Sequence, residues 1–413
     1  MLKYVSVKNF GPFKDKVEWF GDTLNNRNSV YYDGRLTSMA MIFGKNMSGK
    51  TSFIEALKFI KELLGGEGKV KYGYTDYYYN GPKDGVQYRS ESSEFVIEFA
   101  THEKLYHYEI DVNLKDRSIY SEVLWCRSED NKRRKITKIY TRTNYTDVKL
   151  YVDFGELGKW FSKYFNDIDE TLLHRITCFS GYDEIEEIVE PYLYMRNTLK
   201  FIDDENFVIT ETGLNLEEMF IPNLMDNLND LGIPVDGYYT IDCSSKEFFI
   251  MNGGDNKEEI KRVLEFYEGD SVNVIICNKR GVFIISNTTS SVYKCVRLKF
   301  SKNDIPVESK GLINAIRLAA MLTCNDDATY IFDDFISYVD ERVTKKFFEL
   351  WRSTVRYKQI LAVCHDTNLM TCLDRADISF VIQDERVSRI LNPAKDLKWR
   401  NDLALAKAYL ETL

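Results

Sequence analysis

Apolar and polar positions alternate at the start of the 413-residue chain in the way that a pair of β-strands requires. Residues 2–7 read as a first strand, and residues 9–13 supply the glycine and proline of a turn before the next extended run. The apolar run 39–43 predicts a short buried strand. A helix is predicted after it, because apolar residues recur at helical spacing at Phe53, Ile54, Leu57, Ile60 and Leu64.

The periodicity changes further along the chain. Alternating runs separated by polar turns predict an antiparallel β-lobe over residues 93–152, and helical spacing predicts a helical subdomain over 153–236. After this range the content of β-branched and aromatic residues rises, which predicts that the chain forms strands again. We therefore predict four parts: an N-terminal lobe (1–92), the β-lobe, the helical subdomain and a C-terminal lobe (237–413). No heptad pattern persists, so no long coiled coil is expected.

Residues 44–51 match the phosphate-binding pattern G-x-x-x-x-G-K-[ST] in full, between the predicted strand and the predicted helix. The backbone N–H groups of such a loop surround a β-phosphate at the positive end of the helix. We expect Lys50 to pair with β- and γ-phosphate oxygens and the Thr51 hydroxyl to hold Mg²⁺. The residues expected to bind ATP are Gly44, Lys45, Asn46, Met47, Ser48, Gly49, Lys50, Thr51 and Ser52.

Two later strand-like runs end in polar residues suited to the same chemistry. The run 328–332 is followed by Asp333 and Asp334, and the run 357–364 is followed by His365. Strand ends are where an α/β sheet places its ligand groups. We expect Asp333 to hold Mg²⁺, Asp334 to act as the base or polariser of the attacking water, and His365 to sense the γ-phosphate.

The order of these motifs resembles that of the ABC-type ATPases of the RecF and SMC group, including the ATPase modules of OLD-like bacterial defence proteins. The family continues its Walker B strand as D-E-P-T-S-A-L-D, and residues 333–340 follow the same frame, so Ser337 and Asp340 resemble its D-loop. The family signature, roughly L-S-G-G-Q, is echoed by Ser309, Lys310 and Gly311 before an apolar helix. The second glycine of that signature does not match.

The resemblance implies a fold and an assembly. The fold would be α/β, an ABC-type (RecF/SMC-like) P-loop ATPase head with the antiparallel β-lobe and the helical subdomain. In the family, the signature of one protomer completes the ATP site of another, which implies a homodimer or a larger homo-oligomer here. For Ser309 alone, an ordinary helix N-cap is the alternative.

The family usually has Glu at the position of Asp334, and the shorter side chain suggests slow hydrolysis. No residue is assignable to its glutamine loop.

Composition adds the cellular setting. The formal net charge of −9 argues against a surface made for nucleic acid, although the basic stretch from Lys132 to Lys135, extended by Lys138 and Arg142, could meet phosphates. Such a run is more often a solvated hairpin.

The eight cysteines form no metal-binding pattern and read as reduced, mostly buried thiols. With no signal peptide and no membrane-length apolar run, we expect a cytoplasmic protein without a membrane partner.

Three functions fit these observations. The first is an ATPase that acts as a nucleotide-controlled sensor and scaffold for a separate effector, a nuclease or toxin, in anti-phage defence by abortive infection. Only 48 residues follow His365, too few for the Toprim nuclease domain of OLD-like proteins, so the organisation resembles the ATPase of a PARIS-type pair. The second is a RecF-like repair ATPase that clamps duplex DNA. A transporter subunit fits least, because Lys50 and Asp333 are 283 residues apart.

Overall fold

The computed structural model describes most of the chain as a mixed α/β protein with several sheets. The described residues are 1–21, 36–80, 91–101, 104–128, 136–180, 185–202, 207–212, 216–252, 257, 260–261, 264, 272–278, 281–287, 292–299, 309–334, 339–355, 357–384, 387–393, 396–397 and 405–412. They form two compact units. The first comprises Met1–Lys200, Ala328–Ile331 and Gln359–Leu413, and the second comprises Phe201–Asp327 and Phe332–Lys358.

The strands, in chain order, are β1 (Leu2–Lys8), β2 (Val17–Phe20), β3 (Met39–Gly44), β4 (Ser93–Ala100), β5 (Lys104–Asn113), β6 (Ser118–Ser128), β7 (Ile136–Thr143), β8 (Asp147–Leu150), β9 (Leu199–Ile202), β10 (Val208–Thr212), β11 (Gly237–Cys243), β12 (Val272–Asn278), β13 (Gly281–Asn287), β14 (Val292–Lys299), β15 (Thr329–Asp333), β16 (Gln359–Cys364), β17 (Ile378–Asp384) and β18 (Val387–Leu391).

The α-helices are α1 (Lys50–Gly65), α2 (Gly155–Tyr164), α3 (Leu172–Ser180), α4 (Glu186–Leu193), α5 (Ile221–Asp230), α6 (Ser245–Asn252), α7 (Lys310–Thr323), α8 (Glu341–Thr354) and α9 (Leu405–Thr412). Short 3₁₀ or π turns lie at Tyr72–Tyr74, Tyr194–Thr198, Leu216–Phe220, Thr367–Cys372 and Arg375–Asp377. None of the helices in the described part of the chain is long and apolar enough to cross a lipid bilayer.

A large antiparallel sheet fills the N-terminal half of the first unit. Among the described residues its strand order is β2-β1-β4-β5-β6-β7-β8, so the two opening strands and the strands of the predicted β-lobe share one sheet. The pairing is antiparallel throughout, as the polar turns between successive runs predicted. This sheet therefore spans the predicted boundary at residue 92, and the four-part division of the chain stays a prediction.

A second sheet surrounds the phosphate-loop strand. Its described order is β18-β17-β3-β16-β15-β9, and β3 pairs in parallel with both β16 and β17. β3 is a run of apolar residues buried on both faces, which is the pattern of a central parallel strand. The amide of Gln359, at the start of β16, donates to the carbonyl oxygens of Leu2 and Thr37, both at 3.0 Å. Gln359 therefore links this sheet to the first residue of β1.

Helix α1 buries its predicted apolar face in the first unit. Phe53, Ile54, Leu57, Ile60 and Leu64 are all buried. The tyrosine-rich segment after it packs partly against the same core: the rings of Tyr74 and Tyr77 contact Phe10, and Tyr74 also contacts Phe59. Tyr72 remains exposed, and the Arg117 guanidinium lies 4.0 Å from its ring centroid.

The second unit has its own sheet and its own buried helix. The described strands are ordered β10-β12-β13-β14-β11, all antiparallel. Helix α7 is buried along most of its length, and the guanidinium of its Arg317 donates to the carbonyl oxygen of Cys277 on β12 at 3.1 Å. An apolar run and one buried charged residue thus attach the helix to the sheet.

The range predicted as helical contains strands as well as helices. Helices α2 to α5 form within it, but so do β9 and β10. Both strands are short and contain mainly apolar and β-branched residues, which favour a sheet when neighbouring strands are present, but Lys200 and Glu211 interrupt them. Helical spacing on either side hid these runs in the sequence pattern.

Candidate functional site

The strand, loop and helix of the phosphate-binding pattern form where the sequence predicts them. β3 ends at Gly44 and α1 begins at Lys50, so residues 45–49 connect the two. Gly49 is the N-cap of α1 with φ of +106°, a left-handed conformation that glycine adopts without strain. The loop therefore directs the start of α1, with its partial positive charge, into the bend.

Glycine is required at both ends of the loop because neighbouring atoms leave no room for a side chain. A Cβ at Gly44 would lie 2.5 Å from the Val381 carbonyl oxygen, and one at Gly49 would lie 2.8 Å from the Ser388 hydroxyl. The Ser388 hydroxyl also donates to the Ser48 carbonyl oxygen at 2.5 Å. The backbone N–H of Ser388 donates to the carbonyl oxygen of Pro12 at 3.1 Å. Pro12 and Ser388 thus brace the loop from outside.

The Lys50 side chain folds back over the loop. Its ammonium group donates to the carbonyl oxygens of Gly44 at 2.7 Å and Lys45 at 2.9 Å. Lys50 is buried, so its charge is held inside the bend rather than spread over the surface. A fixed cation beside a helix N-terminus is a strong attraction for a phosphate.

One polar atom in the loop lacks a protein partner. The Ser48 hydroxyl is buried and has no hydrogen-bond partner among the described residues. It lies 2.6 Å from where a Cβ of Gly44 would be, so it faces the inside of the loop. Buried hydroxyls are nearly always hydrogen-bonded, and a bound anion would satisfy this one.

His365 lies beside the loop, at the end of β16. β16 pairs with β3 with Cys364 opposite Phe43, which sets the next residue, His365, level with Gly44. Residues 46–52 line a cleft of about 360 Å³ together with Pro12 and His365. That volume falls within the range of small-ligand sites, and the lining is what a polyphosphate needs. Thr51 is exposed to this cleft in the first turn of α1.

Asp333 and Asp334 follow the predicted strand but belong to the second unit. β15 ends at Asp333, and Asp334 has φ of +62°, a left-handed conformation that is uncommon for a residue other than glycine. Such backbone strain concentrates at functional positions. Ser337 lies outside the described residues. Asp340 is the N-cap of α8, where its carboxylate accepts from the Arg342 backbone N–H at 2.9 Å.

The residues that resemble the family signature form a helix start in the second unit. Ser309 is the N-cap of α7, and its hydroxyl accepts from the Leu312 backbone N–H at 3.1 Å. Ser309 and Lys310 are exposed, and Gly311 is half-buried. Ser309 therefore caps a helix, as the alternative interpretation of this residue expects. Because Ser309 and Lys310 are exposed, the start of α7 is also accessible to a second molecule.

The basic stretch needs one correction. Residues 132–135 lie outside the described part of the chain, and Lys138 is exposed. Arg142, in contrast, is fully buried. Its guanidinium donates to the backbone oxygens of Tyr145, Asp167 and Glu170 at 2.5 to 2.6 Å, so it stabilises the fold and is not available to a phosphate.

Sequence reasoning missed the two residues that brace the loop. Pro12 stood out only as turn chemistry, and Ser388 lies 340 residues from its partner Ser48 with no pattern of its own. The close approach to Gly49 is a consequence of tertiary structure, which no local signal encodes.

No family model matches the sequence, and no curated protein matches it. Among solved structures, the chain is similar to SMC head domains. A crystal structure of the SmcHead bound to the C-winged helix domain of ScpA is 14% identical, with a TM-score of 0.45 over 94% of this chain and 97% of that chain. An SMC head domain from Thermotoga maritima is 14% identical, with a TM-score of 0.38 over 95% and 98% of the two chains.

A third structure is an Smc head domain with an extended coiled coil, bound to the C-terminal domain of ScpA derived from Pyrococcus furiosus. It is 13% identical, with a TM-score of 0.39 over 96% of this chain and 98% of that chain.

Proposed function

We propose that this protein binds ATP with Mg²⁺ at residues 44–52 and hydrolyses it slowly, as an ABC-type ATPase of the RecF and SMC kind. The observation that carries the proposal is the braced loop. Its two glycines are enclosed, Lys50 is held over the bend, and the Ser48 hydroxyl is buried without a partner among the described residues. These features leave a cationic, donor-rich concavity of the kind that holds a β-phosphate.

Each group in the loop has a role on the triphosphate. Lys50 is positioned to balance charge on the β- and γ-phosphates, since its ammonium group already lies against the loop backbone. Thr51 and Asp333 would hold Mg²⁺, whose bound charge offsets that of the phosphate oxygens. Ser48 would donate its hydroxyl hydrogen to a phosphate oxygen.

Two further residues would act on the γ-phosphate and the attacking water. His365 lines the same cleft as the loop, which suits a sensor of the γ-phosphate. Asp334 would orient and polarise the water. Its carboxylate is one methylene shorter than the usual glutamate, so we expect weak positioning and slow turnover. A slow hydrolysis rate suits a switch better than a motor.

The assembly we infer is a homodimer with ATP between the protomers. Ser309, Lys310 and Gly311 would meet the γ-phosphate bound to the other protomer, with Ser337 and Asp340 beside them. The exposed start of α7 supports this role, because serine and glycine at a helix N-terminus form an anion-binding surface.

The biological role we propose is that of a nucleotide-controlled sensor and scaffold for a separate nuclease or toxin in anti-phage defence. The support is the resemblance in motif order to stand-alone defence ATPases and the acidic net charge of −9, which disfavours general binding to nucleic acid.

A DNA clamp like that of RecF is the second candidate, and one surface favours it. Lys138 and Lys149 are exposed on the neighbouring strands β7 and β8, and the Lys138 ammonium lies 5.8 Å from the ring centroid of exposed Tyr151. Basic side chains interleaved with an aromatic ring can follow a nucleic-acid backbone.

The test is the ATP hydrolysis rate of the purified protein with and without duplex DNA, with Lys50→Ala as the blank. Lys58→Ala is the matched control, because it removes a positive charge from the same helix, where Lys58 pairs with Glu55 at 2.9 Å and does not line the cleft. We expect slow hydrolysis that is lost in Lys50→Ala, kept in Lys58→Ala and unchanged by DNA. Full hydrolysis by Lys50→Ala would refute the site. Strong stimulation by DNA would favour the clamp.

A further inference from the structure

A serine outside the phosphate loop fixes the position of a serine within it. Ser388, on β18, is fully buried, and its hydroxyl donates to the carbonyl oxygen of Ser48 at 2.5 Å. The two residues are 340 positions apart in the chain, so only the folded protein brings them together. Ser388 is not one of the residues that line the cleft. Its effect on the site must therefore pass through the loop.

The backbone of Ser48 is held on both sides of its Cα. Its N–H donates to the carbonyl oxygen of Lys45 at 3.2 Å, which closes a turn within the loop, and its carbonyl oxygen accepts from Ser388. With both peptide groups fixed, the freedom left to Ser48 is the rotation of its side chain among a few staggered positions. The direction in which its hydroxyl can point is therefore limited by Ser388.

The Ser48 hydroxyl points toward a place where the described protein offers it nothing. It is buried and has no hydrogen-bond partner among the described residues. It lies 2.6 Å from where a Cβ of Gly44 would be, and Ser48 lines the cleft, so the hydroxyl faces the inside of the loop. A buried hydroxyl without a partner costs free energy, which a bound phosphate oxygen would recover.

Ser388 is anchored to the sheet that carries the loop. Its backbone N–H donates to the carbonyl oxygen of Pro12 at 3.1 Å. Its strand, β18, pairs with β17, and β17 pairs with β3, which ends at Gly44 where the loop begins. The Ser388 hydroxyl also lies 2.8 Å from where a Cβ of Gly49 would be. Ser388 is thus a fixed point against which the loop packs.

We propose that Ser388 is a positioning residue for nucleotide, an inference that rests on the proposed binding of ATP at this loop. By holding the Ser48 carbonyl, Ser388 aims the Ser48 hydroxyl at an oxygen of the β-phosphate, the group that such loops surround. The hydroxyl donates one hydrogen bond to that charged oxygen. Ser388 therefore sets the affinity for nucleotides that carry a β-phosphate, although it touches none of them.

The experiment measures the Kd of ATP and of ADP, each with Mg²⁺, for the full chain by isothermal titration calorimetry. We expect Ser388→Ala to raise both Kd values by the same factor, about 10-fold or more, because the two nucleotides share the β-phosphate. A purely structural role would instead lower the fraction of molecules that bind and leave Kd unchanged. The calorimetric stoichiometry measures that fraction, so the two effects are read separately.

The steady-state kinetics should show the same division. Ser388→Ala should raise the KM for ATP and keep kcat, because the β-phosphate is held alike before and during the reaction. Loss of folded protein would lower kcat and keep KM.

A double-mutant cycle shows whether Ser388 acts through Ser48. Ser48→Ala should raise Kd at least as much as Ser388→Ala does, and the double variant should bind no more weakly than Ser48→Ala, because the hydroxyl to be aimed is already absent. Ser379→Ala is the matched control. It removes a buried hydroxyl from β17, where Ser379 pairs with Ile42 of β3, and it should keep the Kd of the unmodified protein.

The outcomes separate this inference from the proposed function. ATP binding that persists unchanged in Lys50→Ala would refute the nucleotide site and this inference with it. Binding that is lost in Lys50→Ala but keeps its Kd in Ser388→Ala would overturn the role of Ser388 alone. Additive effects of Ser48→Ala and Ser388→Ala would also overturn it, since Ser388 would then act on another part of the loop.

Discussion

His107 is a buried histidine held between two carboxylates on the neighbouring strands β4 and β5. Its Nδ1 lies 2.8 Å from Glu98 and its Nε2 lies 2.7 Å from Glu109, while Lys3 pairs with Glu98 and the Trp125 ring stacks on the imidazole. Burial acts to lower the pKa of His107, but the hydrogen bonds with Glu109 and Glu98 outweigh it and raise that pKa above its usual value.

The pH dependence of stability follows from these shifts. Because the His107 pKa is raised, its contribution is complete below the unfolded value of about 6.5 and is lost as the pH rises through the folded value. The pKa values of Glu98 and Glu109 are lowered, so their contributions are present above about 4.3 and are lost as the pH falls. The cluster therefore stabilises most between about pH 4.3 and 6.5.

We expect the free energy of unfolding lost in His107→Gln to be larger at pH 5.5 than at pH 9, as measured by urea denaturation. His365→Gln is the control for removing an imidazole, and it should change stability little at either pH because that side chain is exposed. An equal loss at both pH values in His107→Gln would show that the ion pairs do not contribute.

At the scale of single residues, the sequence predicted what a compact pattern encodes. The spacing of Gly44, Gly49 and Lys50 predicted a phosphate loop, and His365 was predicted as a site residue because it follows a strand-like run, which forms β16 beside β3. The left-handed conformations of Met47 and Asp334, at φ of +65° and +62°, were not foreseen. Aspartate enters that region more often than most residue types and methionine does not, and no local sequence pattern marked either position.

The start of α7 allows its two interpretations to be separated. Ser309 caps the helix, and serine-to-alanine changes at such positions cost about 1 kcal/mol. Aspartate caps as well as serine does, but it would repel a phosphate. We therefore expect Ser309→Ala to lower stability by about 1 kcal/mol, and Ser309→Asp to keep stability but lose ATP hydrolysis. Chemical denaturation and a phosphate-release assay would measure the two effects. Normal hydrolysis by Ser309→Asp would leave Ser309 as a cap alone.

Glu122 joins the large sheet to α3. It is fully buried, accepts from the hydroxyls of Tyr108 and Tyr140, and lies 3.6 Å from the Arg142 guanidinium. Glu122→Gln keeps the shape but leaves Arg142 as a buried charge without its counter-charge, so we expect a loss of about 3 kcal/mol in the free energy of unfolding.

The matched control for Glu122→Gln is the same substitution at Glu94, whose ion pair with Lys8 is exposed. That change should cost less than about 1 kcal/mol. Similar losses at the two positions would mean that burial of the pair adds nothing to its contribution.

Among the elements, α1 was predicted from its helical spacing, and β3, β15 and β16 were predicted from nearly unbroken apolar runs. β9 and β10 were not predicted, because Lys200 and Glu211 interrupt these short strands and helical spacing surrounds them. Their pairing depends on β12 and on the sheet order, both of which are set by distant parts of the chain.

At the scale of the whole molecule, the proposed mechanism makes the assembly depend on nucleotide. If Asp334 polarises the attacking water, Asp334→Ala should bind ATP without cleaving it and accumulate as a dimer. Size-exclusion chromatography with light scattering would measure this: dimer with ATP, monomer without it, and monomer with ATP in Asp334→Ala combined with Lys50→Ala. A dimer that persists without ATP would contradict nucleotide-dependent assembly.

The large-scale organisation was the least accessible from sequence. The four consecutive parts remain a prediction, and the contacts between described residues group the chain into two units. Residues 328–331 and 359–413 return to the first unit after the chain has built much of the second. Hydrophobic periodicity reports only local secondary structure. It therefore could not predict that residues 328–331 and 359–413 belong to the first unit.

The hydrogen bond from Ser388 to Ser48 also determines when, during synthesis, the phosphate loop can become braced. Ser388 holds the Ser48 carbonyl across 340 residues of chain. At roughly 5–20 residues per second, a ribosome needs on the order of half a minute to reach Ser388 after making the loop. Throughout that interval the nascent chain has the motif without its support. Under the proposed function, the loop would therefore hold nucleotide only after residue 388 has been made, and fragments that stop before Ser388 would not compete for ATP with chains that include it.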